Sequence, residues 1–321
     1  MRQRMRSRLM PRWFVVAAST AALVVSVGLG TLAQSPVPST VLNGMDAPAG
    51  RLMFSRFDEA THSFLSTHTI LADGSDETDV PLPGPEGGGR WSRSGTEIAV
   101  MTILPDERVG TAIIAPDGTV QRVLDIPDDT LNAVCTVWSP DDSRLACEAW
   151  DDGDPTRSGI YTVRSSDGGD LQRLTTPPTG MADLPGDYSP DGTLFVFKRT
   201  TDEAPGSLML VGVAGGEPRP LGTSTAEDAG RISPDGRTVL TSSDGRIVVM
   251  DLTGTVLQDF GDPEAFLFGP DWSPDGAWIA FSRATGGPIA DVFISLPDGS
   301  HQKQVTTNPA NEITIDWGPT A

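Results

Sequence analysis

Five charged residues share one local frame. Arg90, Asp187, Arg231, Asp271 and Asp316 each stand just before a large apolar residue that opens a short polar turn: Trp91-Ser92, Tyr188-Ser189, Ile232-Ser233, Trp272-Ser273 and Trp317-Gly318. Val137, before Trp138-Ser139, is the uncharged sixth member. Guanidinium and carboxylate groups brought together can do one of two things. They pair, at about 0–1 kcal/mol each where exposed, or they leave charge to spare for a polar ligand. Taken as a ring in chain order, Arg90 falls beside Asp316, and Arg231 falls between Asp187 and Asp271. Structural pairing is the favoured reading, and a ligand-gripping ring is the alternative.

Other reactive side chains are few. Cys135 and Cys147 lie symmetrically about Asp141, so in a hairpin turning there they would face each other and form a disulfide, with two buried thiols as the alternative. Their spacing is not that of a Cys-x-x-Cys redox pair. Of the three histidines, His62 and His68 would be roughly 20 Å apart in extended chain, too far to share a metal, and His301 stands alone beside a turn. The run Asp151-Asp152-Gly153-Asp154 lacks the closing Glu of the twelve-residue calcium loop and reads as a solvated loop. There is no Gly-x-Ser-x-Gly elbow and no phosphate-binding glycine loop. No metal, no cofactor and no catalytic constellation are predicted.

The elements that must position these residues are repeats. Trp272-Ser273-Pro274-Asp275-Gly276 has plain relatives starting at Trp138, Tyr188 and Ile232, and degenerate ones at Trp91 and Trp317, all spaced 40 to 50 residues apart. A second marker keeps the same period: turn glycines at Gly74, Gly118, Gly168, Gly215, Gly254 and Gly299. Between the markers lie short apolar strands such as Ile279-Ala280-Phe281-Ser282. In the turn, Pro presets φ, Asp suits the next position and Gly takes positive φ. Four strands per unit at this period predict an all-β propeller. The chain begins on what should be a second strand, Arg51 to Ser55, and finishes on a lone innermost strand ending at Trp317. The C-terminal strand is therefore expected to complete the first of six four-stranded antiparallel blades, leaving no open edge.

The repeated Ser-Pro-Asp-Gly units, followed by apolar strands over residues 51–321, resemble the TolB-like six-bladed propellers with WD-repeat-like motifs. That resemblance implies a scaffold for binding proteins or small ligands outside the cytoplasm.

Composition bears on location and partners. Asp and Glu number 43 against 23 Lys and Arg, and five of those Arg precede the first apolar run. The body, at close to −25, should repel nucleic acid and anionic lipid. Residues 1–33 read as a signal peptide or an N-terminal membrane anchor, with an Arg-rich head, the apolar run 13–32 and a Thr31-Leu32-Ala33 cleavage pattern. Either way the body lies outside the cytoplasm. Residues 34–50, with Pro36, Pro38 and Pro48, read as a flexible linker. The expectation is an extracytoplasmic, monomeric, noncatalytic propeller that is secreted or held by residues 13–32 and binds an envelope or extracellular protein. A small-molecule or glycan receptor, or a weak channel enzyme, is the alternative.

Overall fold

The computed structural model describes residues 48–319 apart from Glu86, Asp202, Glu203 and Pro288. The expected targeting segment, and the linker up to residue 47, lie outside the described residues. Among the described residues no helix is long and apolar enough to cross a membrane.

The propeller is built as the repeats require. Six four-stranded antiparallel sheets succeed one another. Blade 1 holds β1 (Arg51–Phe57), β2 (Phe64–Leu71) and β3 (Thr78–Asp79), and β24 (Asn311–Gly318) pairs with β1 as its innermost strand. Blade 2 is β4 (Arg90–Trp91), β5 (Ile98–Ile103), β6 (Val109–Ile114) and β7 (Val120–Val123). Blade 3 is β8 (Leu131–Trp138), β9 (Arg144–Asp151), β10 (Gly159–Arg164) and β11 (Gln172–Arg173). Blade 4 is β12 (Ala182–Tyr188), β13 (Leu194–Thr201), β14 (Ala204–Gly212) and β15 (Arg219–Ala226). Blade 5 is β16 (Arg231–Ile232), β17 (Thr238–Ser243), β18 (Arg246–Asp251) and β19 (Val256–Phe260). Blade 6 is β20 (Ala265–Trp272), β21 (Ile279–Thr285), β22 (Ala290–Ser295) and β23 (Lys303–Gln304).

The core is divided among the seams between blades. Each of six apolar clusters draws on two neighbouring blades. Leu52 and Phe54 pack toward blade 6, against Trp278 and Ala280, whereas Met53 packs toward blade 2, against Trp91 and Ile98. Alternate residues of one strand therefore serve different seams. This is why the middle strands read as unbroken apolar runs such as Ile98-Ala99-Val100-Met101: both of their faces are buried.

The motif turns fix where each innermost strand ends. In Ser189-Pro190-Asp191-Gly192 the Gly192 amide donates to Ser189 O at 2.8 Å, with Gly192 at φ +69°. Asp191 Oδ1 accepts from Ser189 Oγ at 2.6 Å and from the Thr193 amide at 3.0 Å. Asp142 takes the glycine's place at φ +57° in blade 3, as Asp can. Five such turns gather at one end of the ring, around the mouth of the central channel, and Trp317-Gly318-Pro319 ends the sixth innermost strand at the same place.

Candidate functional site

Each innermost strand ends at the mouth and delivers, in succession, a charged residue (Val137 in blade 3), an aromatic or Ile residue, and a residue two positions further on. These residues enclose a cavity of about 300 Å³. Its rim carries Pro140, Pro190, Pro234, Pro274 and Pro319, one from each of five blades. In blade 2 the corresponding residue is Arg93. Inside the rim lie Trp91, Trp138, Tyr188, Ile232, Trp272 and Trp317, and below them Arg90, Asp187, Arg231, Asp271 and Asp316. The structure thus brings all five charged residues singled out in the sequence to one place.

The carboxylates are tied to the backbone. Asp271 accepts from the Trp272 amide at 2.9 Å with Oδ1 and, across the seam, from the Trp317 amide of blade 1 at 2.7 Å with Oδ2. Asp187 likewise accepts from the Tyr188 amide at 2.9 Å and from the Ile232 amide of blade 5 at 3.2 Å. Asp316 accepts from the Trp91 amide of blade 2 at 2.8 Å. Each Asp therefore latches its blade to the next one around the ring. Where the preceding blade offers an Arg instead, the tie runs the other way: the indole N–H of Trp138 donates to Arg90 O at 3.0 Å, and that of Trp272 to Arg231 O at 3.2 Å.

The charge pairing follows the order expected around the ring only in part. Arg231 reaches Asp271 at 3.3 Å and Asp316, two blades away, at 3.7 Å. Asp187 is paired instead with Arg93. Sequence reasoning overlooked Arg93 because it lies in a degenerate copy of the motif. The signal was available: it is the one rim position among six without proline. Arg90 pairs with no carboxylate within 4 Å among the described residues. Its guanidinium crosses the channel and donates to Gly186 O at 2.5 Å, an oxygen that Arg231 also approaches, at 3.4 Å. Gly186 is itself tightly enclosed, since a Cβ there would fall 2.1 Å from Ala229 O. The two arginines crossing at this level narrow the channel below the cavity.

Electrostatics separates the three arginines. The neighbouring carboxylate of Asp187 holds the Arg93 guanidinium above its ordinary pKa. Arg231 is also raised, burial being outweighed by Asp271 and Asp316. Arg90 goes down, to about 10, through burial first and then repulsion from Arg231. It remains protonated at neutral pH, but its charge is the least compensated of the three. Burial pushes the Asp271 carboxyl up, against the pull of Arg231. Two lining residues carry a buried donor that lacks a partner among the described residues: the indole nitrogen of Trp91 and the hydroxyl of Tyr188.

The other sequence candidates lie elsewhere. Cys135 on β8 and Cys147 on β9 stand directly opposite and are joined, with S–S 2.08 Å. His68 contacts Arg56, Ser66 and Glu77 near the other end of blade 1. Around Asp151 the cation is internal, because Arg157 pairs with both Asp128 and Asp151. Among the described residues no group of three or more His, Cys, Asp or Glu could hold a metal ion. The serines of the four plain motifs, Ser139, Ser189, Ser233 and Ser273, each donate to the Asp two residues on. None of these pairs includes the base that would activate the hydroxyl for nucleophilic attack.

Comparison with known proteins fits this architecture. No protein-family model matches the chain. An uncharacterized protein of Agrobacterium fabrum (strain C58), Atu1656, is 27% identical over 135 residues, a stretch that covers 41% of this chain and 44% of that relative. A crystal structure of TolB from Acinetobacter baumannii superposes with TM-score 0.66 at 18% identity, covering 86% of this chain and 68% of that one. A putative TolB from Agrobacterium tumefaciens gives TM-score 0.59 at 17% identity, covering 85% and 100%. A puromycin hydrolase gives TM-score 0.53 at 17% identity, covering 86% of this chain and 49% of that one. The chain has the TolB-like six-bladed propeller fold, a fold found among these neighbours with and without a hydrolase named for it.

Proposed function

We propose that this chain is a noncatalytic protein-binding scaffold that offers its channel mouth to a partner in the cell envelope or outside the cell. The observation that carries the reading is the mouth itself: a concave, proline-rimmed cavity on a rigid ring, with a guanidinium at its base that has no carboxylate within 4 Å among the described residues. Rigid scaffolds that gather loop ends at one face are suited to recognition. The noncatalytic part of the reading rests on how the polar groups are used. The Asp residues hold backbone amides across the seams, and the motif serines hold their own turns. The location rests on the Arg-rich head and apolar run of residues 1–33 and on the TolB-like fold.

Affinity capture from an envelope extract tests this, with the propeller and its Arg93→Ser variant as paired baits. Arg93 is 45% exposed at the rim, so its loss changes the mouth while leaving the latches in place. A stoichiometric partner held by the parent and weakened on the variant supports the reading. A partner held equally by both moves binding away from the mouth. The second reading, a small polar ligand in the charged ring, is favoured by Arg90 alone. A thermal-shift screen of sugars and small anions addresses it, since a ligand bound only by the folded state raises the melting temperature by mass action.

A further inference from the structure

We infer that the mouth reads a chain end: Arg90 is placed to receive the C-terminal α-carboxylate of a partner polypeptide entering through the proline rim. This inference rests on the protein-binding reading above and specifies what is bound.

Four observations converge on it. First, the donors at the base of the cavity exceed the acceptors available to them. The guanidinium of Arg90 spends one N–H on Gly186 O and has no carboxylate within 4 Å among the described residues. A group that only accepts hydrogen bonds answers that deficit.

Second, the charge balance limits the charge of what can enter. Arg90, Arg93 and Arg231 face Asp187, Asp271 and Asp316, so the lining is neutral within a chain of net charge −20. Arg93 and Arg231 are already paired. A monoanion placed on Arg90 takes the lining to −1 and meets the one guanidinium there with no carboxylate within 4 Å among the described residues. A dianion such as a phosphate monoester would bring a second charge into a ring of three carboxylates, with no free cation to meet it.

Third, the cavity is small and narrowed at its base. Arg90 and Arg231 reach Gly186 O from different blades, across the channel. About 300 Å³ is at the small end for a binding pocket. It receives the end of a chain and not a strand passing through. Fourth, the collar above is apolar and rigid. Pro140, Pro190, Pro234, Pro274 and Pro319 bring little conformational entropy to lose on contact, which suits a segment held end-on with its charge at the bottom. Capture of a terminal carboxylate by fixed donors is a known mode of peptide recognition.

The test uses the intact propeller and two matched pools of acetylated random tetrapeptides, identical except that one ends in a free carboxylate and the other in a carboxamide. Retention is read by affinity selection and mass spectrometry, and Kd is then measured for the selected sequences. The expected result is selection from the carboxylate pool, with at least about a tenfold loss of affinity when a selected peptide is amidated, as befits a charge-assisted contact. Arg90→Gln should erase that difference, and Arg237→Gln, on an exposed turn, should leave it intact. Equal selection from both pools, or retention of amidated peptides that carry an internal Asp or Glu, overturns the chain-end inference while leaving a protein-binding mouth standing. Displacement of the selected peptides by millimolar acetate alone would assign the site to small carboxylates and likewise overturn it. The comparison of the two pools uses the unaltered protein, so it decides the matter even if Arg90→Gln folds poorly. Should neither pool be retained while Arg93→Ser still weakens a captured partner, the chain-end inference falls and the scaffold reading survives.

Discussion

Replacing Asp271 by Ala should loosen the ring at one identifiable seam. Asp271 is 8% exposed and accepts from the amides of Trp272 and Trp317 while pairing with Arg231. Its loss strands two buried N–H groups, at about 1–3 kcal/mol each. It also removes the nearest carboxylate from a buried guanidinium, and breaking a buried pair costs about 3–5 kcal/mol. These costs overlap, because one carboxylate serves all three donors. Relief of its own desolvation, which raises the Asp271 carboxyl, offsets part of them. A net loss of about 3–5 kcal/mol is expected. The seam affected joins blade 6 to β24, which also closes the ring. Urea unfolding followed by tryptophan fluorescence measures the total, and amide exchange at Trp317 localises it. Asp275→Ala, on the exposed side of the same turn, is the control for the loss of a turn acceptor. If Asp271→Ala unfolds within about 0.5 kcal/mol of the parent, a value ordinary for uninvolved surface positions, or if Trp317 exchanges no faster, the latch account is wrong.

Other outcomes follow from the same structure. The disulfide closes a loop with a sequence separation of 12, so Cys135→Ser with Cys147→Ser should cost about 2–3 kcal/mol, and the unreduced parent should titrate no free thiol. Burial pushes the Glu148 carboxyl up to about 7 from an ordinary 4.5, against the pull of Lys198. The folded state then binds more protons than the unfolded one between those values, and stability falls as pH rises from about 4.5 to about 7. Glu148→Gln should flatten that slope, and an unchanged slope would show that Glu148 does not carry it. Tyr188→Phe removes a buried hydroxyl that has no partner among the described residues, so it should be neutral or stabilising by up to about 1 kcal/mol. A clear loss of stability would mean that the hydroxyl has a partner.

What the sequence made legible was whatever repeats or alternates. The turn motif, the turn glycines and the apolar runs give the blade count, the four strands per blade and the closure by β24, because each depends on local chemistry recurring with one period. The positions of Arg90, Asp187, Arg231, Asp271 and Asp316 around the mouth follow from the same frame. Their partners do not. Ring order suggested neighbours, but a guanidinium on a long side chain spans the channel as readily as one seam, so Arg231 reaches Asp316 and Arg93 takes Asp187. Ion pairing is also only part of what the carboxylates do. Their principal partners are the backbone amides of Ile232, Trp317 and Trp91, and a main-chain donor leaves no mark in the sequence. Arg93 was visible as the missing proline of its motif, and its meaning appeared only once five prolines were seen to share a rim.

The central claim is that the mouth is where this propeller meets its partner, and site-directed photocrosslinking tests it most directly. A photoreactive residue is placed at Pro234, exposed on the rim, or at Glu59, exposed in the turn at the opposite end of blade 1. A discrete covalent adduct formed from position 234 and not from position 59, and weakened by Arg93→Ser, is the predicted result. Adducts formed from position 59 alone, or equally from both positions and indifferent to Arg93→Ser, would contradict it.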